Sequence, residues 1–197
     1  MKVGLDRLKS NMEFERRIKG QITESLVQTL LEHAGYRVVP LGIEQVIREV
    51  KDQGSWNLPQ PLRTLPDFLI TDAEIKKNWL LEVKYRHQWN EYTIKSLEET
   101  LTNQVKYWSE FYFLVFLGNC DGGKVTTAGR SGIFHLTHRD GKLGYLNKGQ
   151  FYPWKNAEWK FSSRIHTVFE ELKELYEAQT IKKCCEIVDR YSEILVS

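Results

Sequence analysis

Two short apolar runs separated by a polar segment stand out in the hydrophobic pattern of this 197-residue chain. The runs cover residues 68–70 and 79–83, and residues 71–78 between them are mostly polar. Short apolar runs on either side of turn-forming residues predict a β-hairpin. Ionisable side chains lie at the start of the first run and inside the second, where a buried strand tolerates a charge only when the charge has a partner.

Side-chain alternation along the second strand puts Glu82 and Lys84 on one face of the hairpin. If Asp72 pairs with Lys77 at the turn, the same register places Asp67 directly opposite Glu82. Directly paired residues have Cβ atoms ~4.5–5.5 Å apart, and a slip of two residues would leave the carboxylates diagonal. The close spacing suits two ligands of one hard cation.

Helical periodicity precedes the hairpin. Apolar residues recur every four positions from Phe14 to Ala34, and a capping-box pattern at residues 10–13 predicts the start of that helix. Gly35 is placed to end it, and Gly20 marks a kink or a boundary between two shorter helices.

The remaining elements follow from periodicity and turn signals. Residues 36–41 predict a short strand that Pro40 ends or confines to a sheet edge. Between this strand and the hairpin we expect a helix over residues 43–51 and a loop over 52–66. After the hairpin we expect a helix over 92–110 and a strand covered on both faces over 111–117. A second hairpin of 133–136 with 142–146 should turn at Asp140-Gly141, followed by a helix over 165–176 capped by Ser162 or Ser163 and a last helix over 181–196.

Charge is unevenly distributed although the net charge is only +2. Residues 120–164 hold eight Lys or Arg against three acidic residues, and residues 165–197 hold four against seven. A basic segment before an acidic helical tail is compatible with polyanion binding on one side of the molecule, and solvated surface is the alternative.

Other sequence features narrow the protein class. Three cysteines, Cys120, Cys184 and Cys185, make neither a disulfide framework nor a four-ligand metal site. The longest apolar run, residues 111–117, is far below the ~20 residues of a membrane-spanning helix. The first residues lack the apolar region of a secretory signal, so we expect a cytoplasmic protein without a membrane partner.

The pair Pro66-Asp67 and the triplet Glu82-Val83-Lys84, on successive strands between flanking helices, resemble the PD-(D/E)XK nuclease superfamily. The likeness covers residues 13–118. It implies a single α/β domain with a restriction-endonuclease-like core, a central mixed β-sheet flanked by helices, followed by a basic hairpin region over 119–162 and a C-terminal helical extension over 163–197.

The resemblance also implies a catalytic site. Asp67, Glu82 and the main-chain carbonyl of Val83 would hold Mg²⁺ or Mn²⁺, and Lys84 would orient or help deprotonate the attacking water. Glu24 on the first helix is a further catalytic candidate, with a solvated helix glutamate as its alternative. For the Asp67, Glu82 and Lys84 trio the alternative is a surface ion pair.

Several side chains are weaker candidates for nucleic-acid contact. The resemblance suggests a glutamine on the helix after the Glu-x-Lys strand, and Gln104 lies in that region, near Tyr107 and Trp108. Arg86, His87, Lys106 and Arg130 are candidate phosphate contacts. His135 and His138 are more typical of surface residues than of metal ligands, since no third ligand accompanies them.

These observations favour a metal-dependent deoxyribonuclease, an endonuclease that uses Mg²⁺ or Mn²⁺ and binds DNA. A non-catalytic nucleic-acid-binding module on the same fold is the alternative. A third hypothesis is an assembly subunit that uses its amphipathic C-terminal helices, and dimers are common among nucleases of this kind, so a homodimer or a protein partner also fits the sequence.

Overall fold

A seven-stranded mixed sheet forms the centre of the protein in the computed structural model, which describes residues 2–41, 59–118, 130–177 and 179–194. Side chains are described from residue 14 onward, except at 16, 189 and 192–194. The strands follow one another across the sheet in chain order. They are β1 (Arg37–Pro40), β2 (Phe68–Thr71), β3 (Asn78–Arg86), β4 (Glu110–Leu117), β5 (Ser131–Arg139), β6 (Lys142–Asn147) and β7 (Gln150–Pro153).

Helices cover both faces of this sheet. They are α1 (Lys2–His33), α2 (Gln60–Arg63), α3 (Glu91–Trp108), α4 (Lys173–Glu177) and α5 (Thr180–Ile194), with four 3₁₀ turns between Trp154 and Leu172. β3 and β4 run parallel, whereas each of the other neighbouring strand pairs is antiparallel. α3 connects β3 to β4, which is the crossover that parallel neighbours require.

Alternation along β4 divides the apolar interior into two layers. Leu114 and Phe116 face α1 and the C-terminal helices, whereas Phe113 and Val115 face α3. All four side chains are at most 1% exposed, because the strand lies between two covered faces in the middle of the sheet. The prediction of a doubly covered strand over 111–117 is therefore confirmed.

Most predicted elements are present with shifted ends. The hairpin of β5 and β6 turns at Asp140 and Gly141, whose φ angles are +53° and +71°. The strand ending at Pro40 is an edge strand, and α3 begins at Glu91, where Asn90 caps it by accepting a hydrogen bond from Thr93 N.

The structure differs from the sequence expectations at five points. α1 begins at Lys2, so residues 10–13 lie inside the helix, and Gly20 does not interrupt it. Residues 60–63 of the expected loop form α2. Residues 165–172 form two 3₁₀ turns rather than a continuous helix, with only the five residues of α4 after them. The strand β7 was not expected.

The C-terminal segment packs inside the same chain. Phe169, Leu172, Ile181 and Cys185 are at most 3% exposed in the layer that α1 also enters, so these apolar side chains are already covered. Cys184 and Cys185 are free and buried. The expected helix at 43–51, Trp56 and Cys120 lie outside the described residues. None of the described helices combines the length and apolarity needed to cross a bilayer.

Gly144 and Gly20 make a matched test of the packing. A Cβ at Gly144 would lie 2.4 Å from the main-chain oxygen of Tyr152, which cannot move without disturbing the β6–β7 pair. We expect Gly144→Ala to lower the free energy of unfolding by about 1–3 kcal/mol. A Cβ at Gly20 meets nothing within 4 Å, so Gly20→Ala should raise it by about 0.5–1 kcal/mol. Urea denaturation of both variants measures these changes. If the two substitutions change the free energy of unfolding equally, the packing described around Gly144 is wrong.

Candidate functional site

The β2–β3 hairpin has the register that the sequence predicts. Phe68 pairs with Leu81 and Thr71 with Asn78, while Asp72 N donates to Lys77 O at 3.2 Å to close the turn. One further step along this register brings Asp67 opposite Glu82. β2 starts at Phe68 whereas β3 continues to Arg86, so the carboxylates lie where the two strands stop pairing.

Asp67, Glu82 and Lys84 converge at this point. The main-chain N–H of Val83 donates to Asp67 Oδ2 at 2.7 Å. Lys84 Nζ lies 2.5 Å from Glu82 Oε1 and 3.5 Å from Asp67 Oδ2. One ammonium group therefore bridges the two carboxylates on one face of the hairpin.

Burial distinguishes this trio from a surface ion pair. Glu82 is only 3% exposed, and the side chains of Asp67 and Lys84 are 20% and 29% exposed. Removing a carboxylate from water is costly unless charged and hydrogen-bonding partners replace the water. The trio is thus partly buried, and the surface-pair alternative does not describe Glu82.

Gln104 of α3 completes the surroundings of Glu82. Its Nε2 donates to Glu82 Oε2 at 2.8 Å, and the residue is 3% exposed. In this position it holds a carboxylate in place instead of reaching a nucleic acid directly. Its Oε1 is buried without a hydrogen-bond partner among the described residues.

Glu24 of α1 acts on the same site. Its negative charge contributes to raising the pKa of both Asp67 and Lys84. Glu24 is half-buried. Charges act on a pKa mainly at short range, so Glu24 stays a candidate for this site.

The electrostatics show an excess of negative charge. Burial, then the charges of Glu82 and Glu24, raise the pKa of Asp67 from 3.8 to about 7, against the opposing effects of Lys84 and the Val83 N–H. Burial lowers the pKa of Lys84, but the charges of Glu82, Asp67 and Glu24 outweigh it and leave that pKa raised. A further cation would relieve this imbalance.

The oxygen donors suit a hard cation. No group of three or more His, Cys, Asp or Glu in the part of the chain that the structure describes is arranged as a metal site. Mg²⁺, however, is commonly held by one or two carboxylates together with water and substrate phosphate. Asp67 and Glu82 supply two carboxylates. The N–H of Val83 points to Asp67 and its carbonyl shares that strand edge, so Val83 can add a main-chain oxygen.

The other candidates lie at varying distances from the trio. Arg86 follows Lys84 on the same face of β3, and its Nη1 donates to Tyr85 O at 2.8 Å. Arg130 Nε donates to Leu117 O at 3.3 Å, beside the end of β4. Lys106 is exposed on α3, with its Nζ 5.8 Å from the centre of the Tyr107 ring.

The histidines are not part of the site. His135 pairs with Glu110 at 2.7 Å and stacks on Tyr112, two strands away from β3 and on the opposite face of the sheet from Glu82. His138 lies beyond it, 3.4 Å from Ser109 O, and His87 is exposed after β3.

Comparison of the chain with protein-family models, with curated proteins and with solved structures finds no match. The interpretation of the site therefore depends on its own geometry and chemistry.

The raised pKa of Asp67 predicts a specific pH dependence of stability. The folded protein binds the Asp67 proton more tightly than the unfolded chain, so stability is lost as pH rises from about 4 to about 7. Asp67→Asn cannot ionise, and its side-chain oxygen can still accept from Val83. We expect the free energy of unfolding of this variant to equal that of the wild type at pH 4. At pH 8 it should be higher by up to about 4 kcal/mol, since one pKa unit corresponds to ~1.4 kcal/mol.

Urea denaturation in chelator across this pH range measures the difference. Asp140→Asn is the matched control, because it removes one carboxylate from an exposed hairpin turn and corrects for net charge. If the Asp67 and Asp140 variants differ from the wild type equally at every pH, the description of the site is wrong.

The hydrogen bond from Gln104 to Glu82 should contribute to stability. Gln104→Met keeps the shape of the side chain but leaves a buried carboxylate oxygen without its donor, which costs about 1.5–3 kcal/mol. Gln21→Met on the exposed side of α1 is the control. Thermal and urea unfolding of both variants test this difference. If Gln104→Met leaves the free energy of unfolding unchanged, the hydrogen bond to Glu82 does not stabilise the fold.

Proposed function

We propose that this chain is a Mg²⁺- or Mn²⁺-dependent endodeoxyribonuclease of the PD-(D/E)XK superfamily, with a restriction-endonuclease-like fold. The observation that carries the proposal is the convergence of Asp67, Glu82 and Lys84 where β2 stops pairing with β3. Two carboxylates and an amine on one half-buried face, open on one side, are the groups that phosphodiester hydrolysis requires.

The surrounding elements support the same proposal. Asp67 directly precedes β2, the Glu-x-Lys triplet lies on β3, and α3 leads from β3 to the buried parallel strand β4. α1 and α3 each add one polar side chain, Glu24 and Gln104, to the site. An accidental match of the short motif would not be expected to gather four separate elements around the same carboxylates.

The residues divide the chemistry between them. Asp67, Glu82 and the Val83 carbonyl would hold the cation, which supplies charge stabilisation and a more acidic bound water when present. Gln104 fixes one oxygen of Glu82 and leaves the other toward Lys84. The Val83 N–H fixes Asp67 in the same way. The carboxylates are thus oriented before any substrate arrives, which lowers the cost of reorganisation during reaction.

Lys84 serves the substrate side of the site. Its ammonium contacts both carboxylates and lies at the partly open side. There it can orient an attacking water and offset negative charge on a phosphate in the transition state. Glu24 adds negative charge near the same point and would strengthen cation binding or hold a water.

One observation favours the alternative of a non-catalytic nucleic-acid-binding module on the same fold. Lys84 already compensates Glu82 at 2.5 Å, so the folded site is satisfied in part without a metal. A binding module would hold DNA in a salt-sensitive way that chelator leaves unchanged, whereas the proposed nuclease loses cleavage in chelator.

Removing single site groups should abolish cleavage and leave the fold intact. We expect Asp67→Asn, Glu82→Gln and Lys84→Met each to lower the rate of Mg²⁺-dependent cleavage by about 10²–10⁴-fold. Nicking of supercoiled plasmid and of linear, branched and single-stranded DNA measures the rate. The matched control is Glu74→Gln, which removes a carboxylate from the exposed turn of the same hairpin, where Glu74 pairs with Lys76.

Metal binding gives a second readout. Mg²⁺ or Mn²⁺ should raise the unfolding midpoint of the wild type and of Glu74→Gln, but not of the Asp67 and Glu82 variants, because a ligand stabilises only a protein that binds it. If the wild type cuts neither DNA nor RNA with either metal, and neither metal shifts its unfolding, the nuclease proposal is refuted.

A further inference from the structure

A second cleft lies at the opposite edge of the sheet from β1. It has a volume of about 550 Å³. One wall is the β6–β7 turn, with Asn147, Lys148 and Gln150, and the other wall contains Lys160 and Phe161. This volume is in the range of small-molecule sites. Lys160 Nζ pairs with Glu158 at 2.7 Å and lies 4.9 Å from the centre of the Phe161 ring, so Lys148 supplies the net positive charge of the cleft. Lysine and amide side chains hold phosphates, and an aromatic ring stacks on a base.

The walls of this cleft are fixed by main-chain pairing. Ile133 and Ser163 exchange two main-chain hydrogen bonds of 2.9 Å, which attach the segment carrying Lys160 and Phe161 to β5. On the other side, β6 and β7 are paired up to Asn147 and Gln150. The rings of Tyr152 and Phe161 lie nearly parallel, 13° apart, with centroids separated by 6.3 Å. The cleft is therefore present in the folded protein before any ligand binds.

The position of Lys148 is unfavourable for its own backbone. Lys148 and Gly149 have φ angles of +51° and +77°, which are the paired positive values of a type I′ turn. Asn or Asp followed by Gly is preferred there, and the β5–β6 turn of the same sheet uses Asp140-Gly141 in that conformation. A lysine in left-handed conformation costs on the order of 1 kcal/mol, so its presence at the cleft points to a use for its charge.

The strand register places the cleft level with the hairpin carboxylates. Glu82 lies beside Phe113, and Phe113 pairs with Phe134. His135 pairs with Leu146, so one step further along the same register Phe134 is level with Asn147. Side chains at directly paired positions share a face, and Asn147 is therefore on the same face as Glu82, three strands away. With neighbouring strands ~4.8 Å apart, the separation is about 15 Å.

We infer that this cleft binds one unpaired nucleotide of the DNA that the proposed nuclease cuts, with the phosphate at Lys148 and the base against Tyr152 and Phe161. The inference rests on the proposed function for the identity of the ligand. A concave site with an aromatic wall receives a base only where that base is free of its duplex partner. The preferred substrate is thus DNA with a single-stranded segment near the cut.

Two substitutions separate the phosphate contact from base stacking. Lys148→Asn removes a charge and supplies the residue that a type I′ turn prefers, so we expect a fold at least as stable as the wild type. It should make the dependence of log affinity on log salt shallower by about 0.7 for single-stranded DNA. Phe161→Leu should weaken binding about tenfold and leave the salt dependence unchanged, since stacking carries no charge.

The measurement is fluorescence anisotropy of a labelled oligothymidylate, and of a blunt duplex of equal length, in chelator at several salt concentrations. The matched control is Lys182→Gln, which removes the same charge from the exposed side of α5. We expect the wild type to bind the single strand more tightly than the duplex, with Lys148→Asn and Phe161→Leu losing this preference and Lys182→Gln keeping it.

Chelator separates the two proposals, because no cleavage is needed for this binding. If Lys148→Asn and Phe161→Leu bind the single strand as the wild type does, or if the wild type prefers the blunt duplex, the cleft inference is overturned whether or not Mg²⁺-dependent cleavage is observed. If the two variants show the expected losses while no DNA is cut, the cleft stands and the proposed catalytic activity fails.

Discussion

The buried carboxylate of Glu82 is the constraint on which the rest of the site depends. A charge that is 3% exposed must have its partners in place in every folded molecule. Lys84 supplies the opposite charge and Gln104 supplies a hydrogen bond, and these groups come from β3 and from α3. The Glu82 carboxylate therefore keeps its orientation only when α3 is packed on the sheet.

The hairpin adds a second carboxylate that this arrangement does not fully neutralise. Asp67 lies opposite Glu82 and shares the same ammonium, while Glu24 contributes a further negative charge. A sequence optimised only for stability would not gather three acidic groups around one lysine. The raised pKa of Asp67 shows that this arrangement lowers the stability of the fold. A loss of stability concentrated at one site of a well-packed sheet is typical of a functional site.

Much of this geometry follows from the sequence, because the hairpin register depends on local rules. The period of two along β3 fixes which face holds Glu82, and the turn at Asp72 and Lys77 fixes the pairing. The role of Gln104 does not follow in the same way, since its contact with Glu82 spans 22 positions and depends on how α3 docks. Its position in a buried stripe of α3, beside Leu101 and Val105, was the available signal.

The C-terminal part of the chain was harder to predict for a different reason. Residues 165–172 show helical periodicity, yet they form 3₁₀ turns that bring Ile165, Phe169 and Leu172 into the core. Periodicity reports which side chains are buried but does not determine the hydrogen-bonding pattern of a short segment. β7 was missed because its turn carries Lys-Gly instead of the Asn-Gly or Asp-Gly signal of a type I′ hairpin.

That missed turn connects the two sites. Lys148 departs from the rule that would have predicted the hairpin, and it directly follows Asn147, which is level with Glu82 on the same face of the sheet. The unfavourable conformation lies in the turn between two short strands, β6 and β7, whose pairing with each other and with β5 holds it in place. The same ladder of strand pairs thus fixes both the carboxylates and the cleft at the β6–β7 turn.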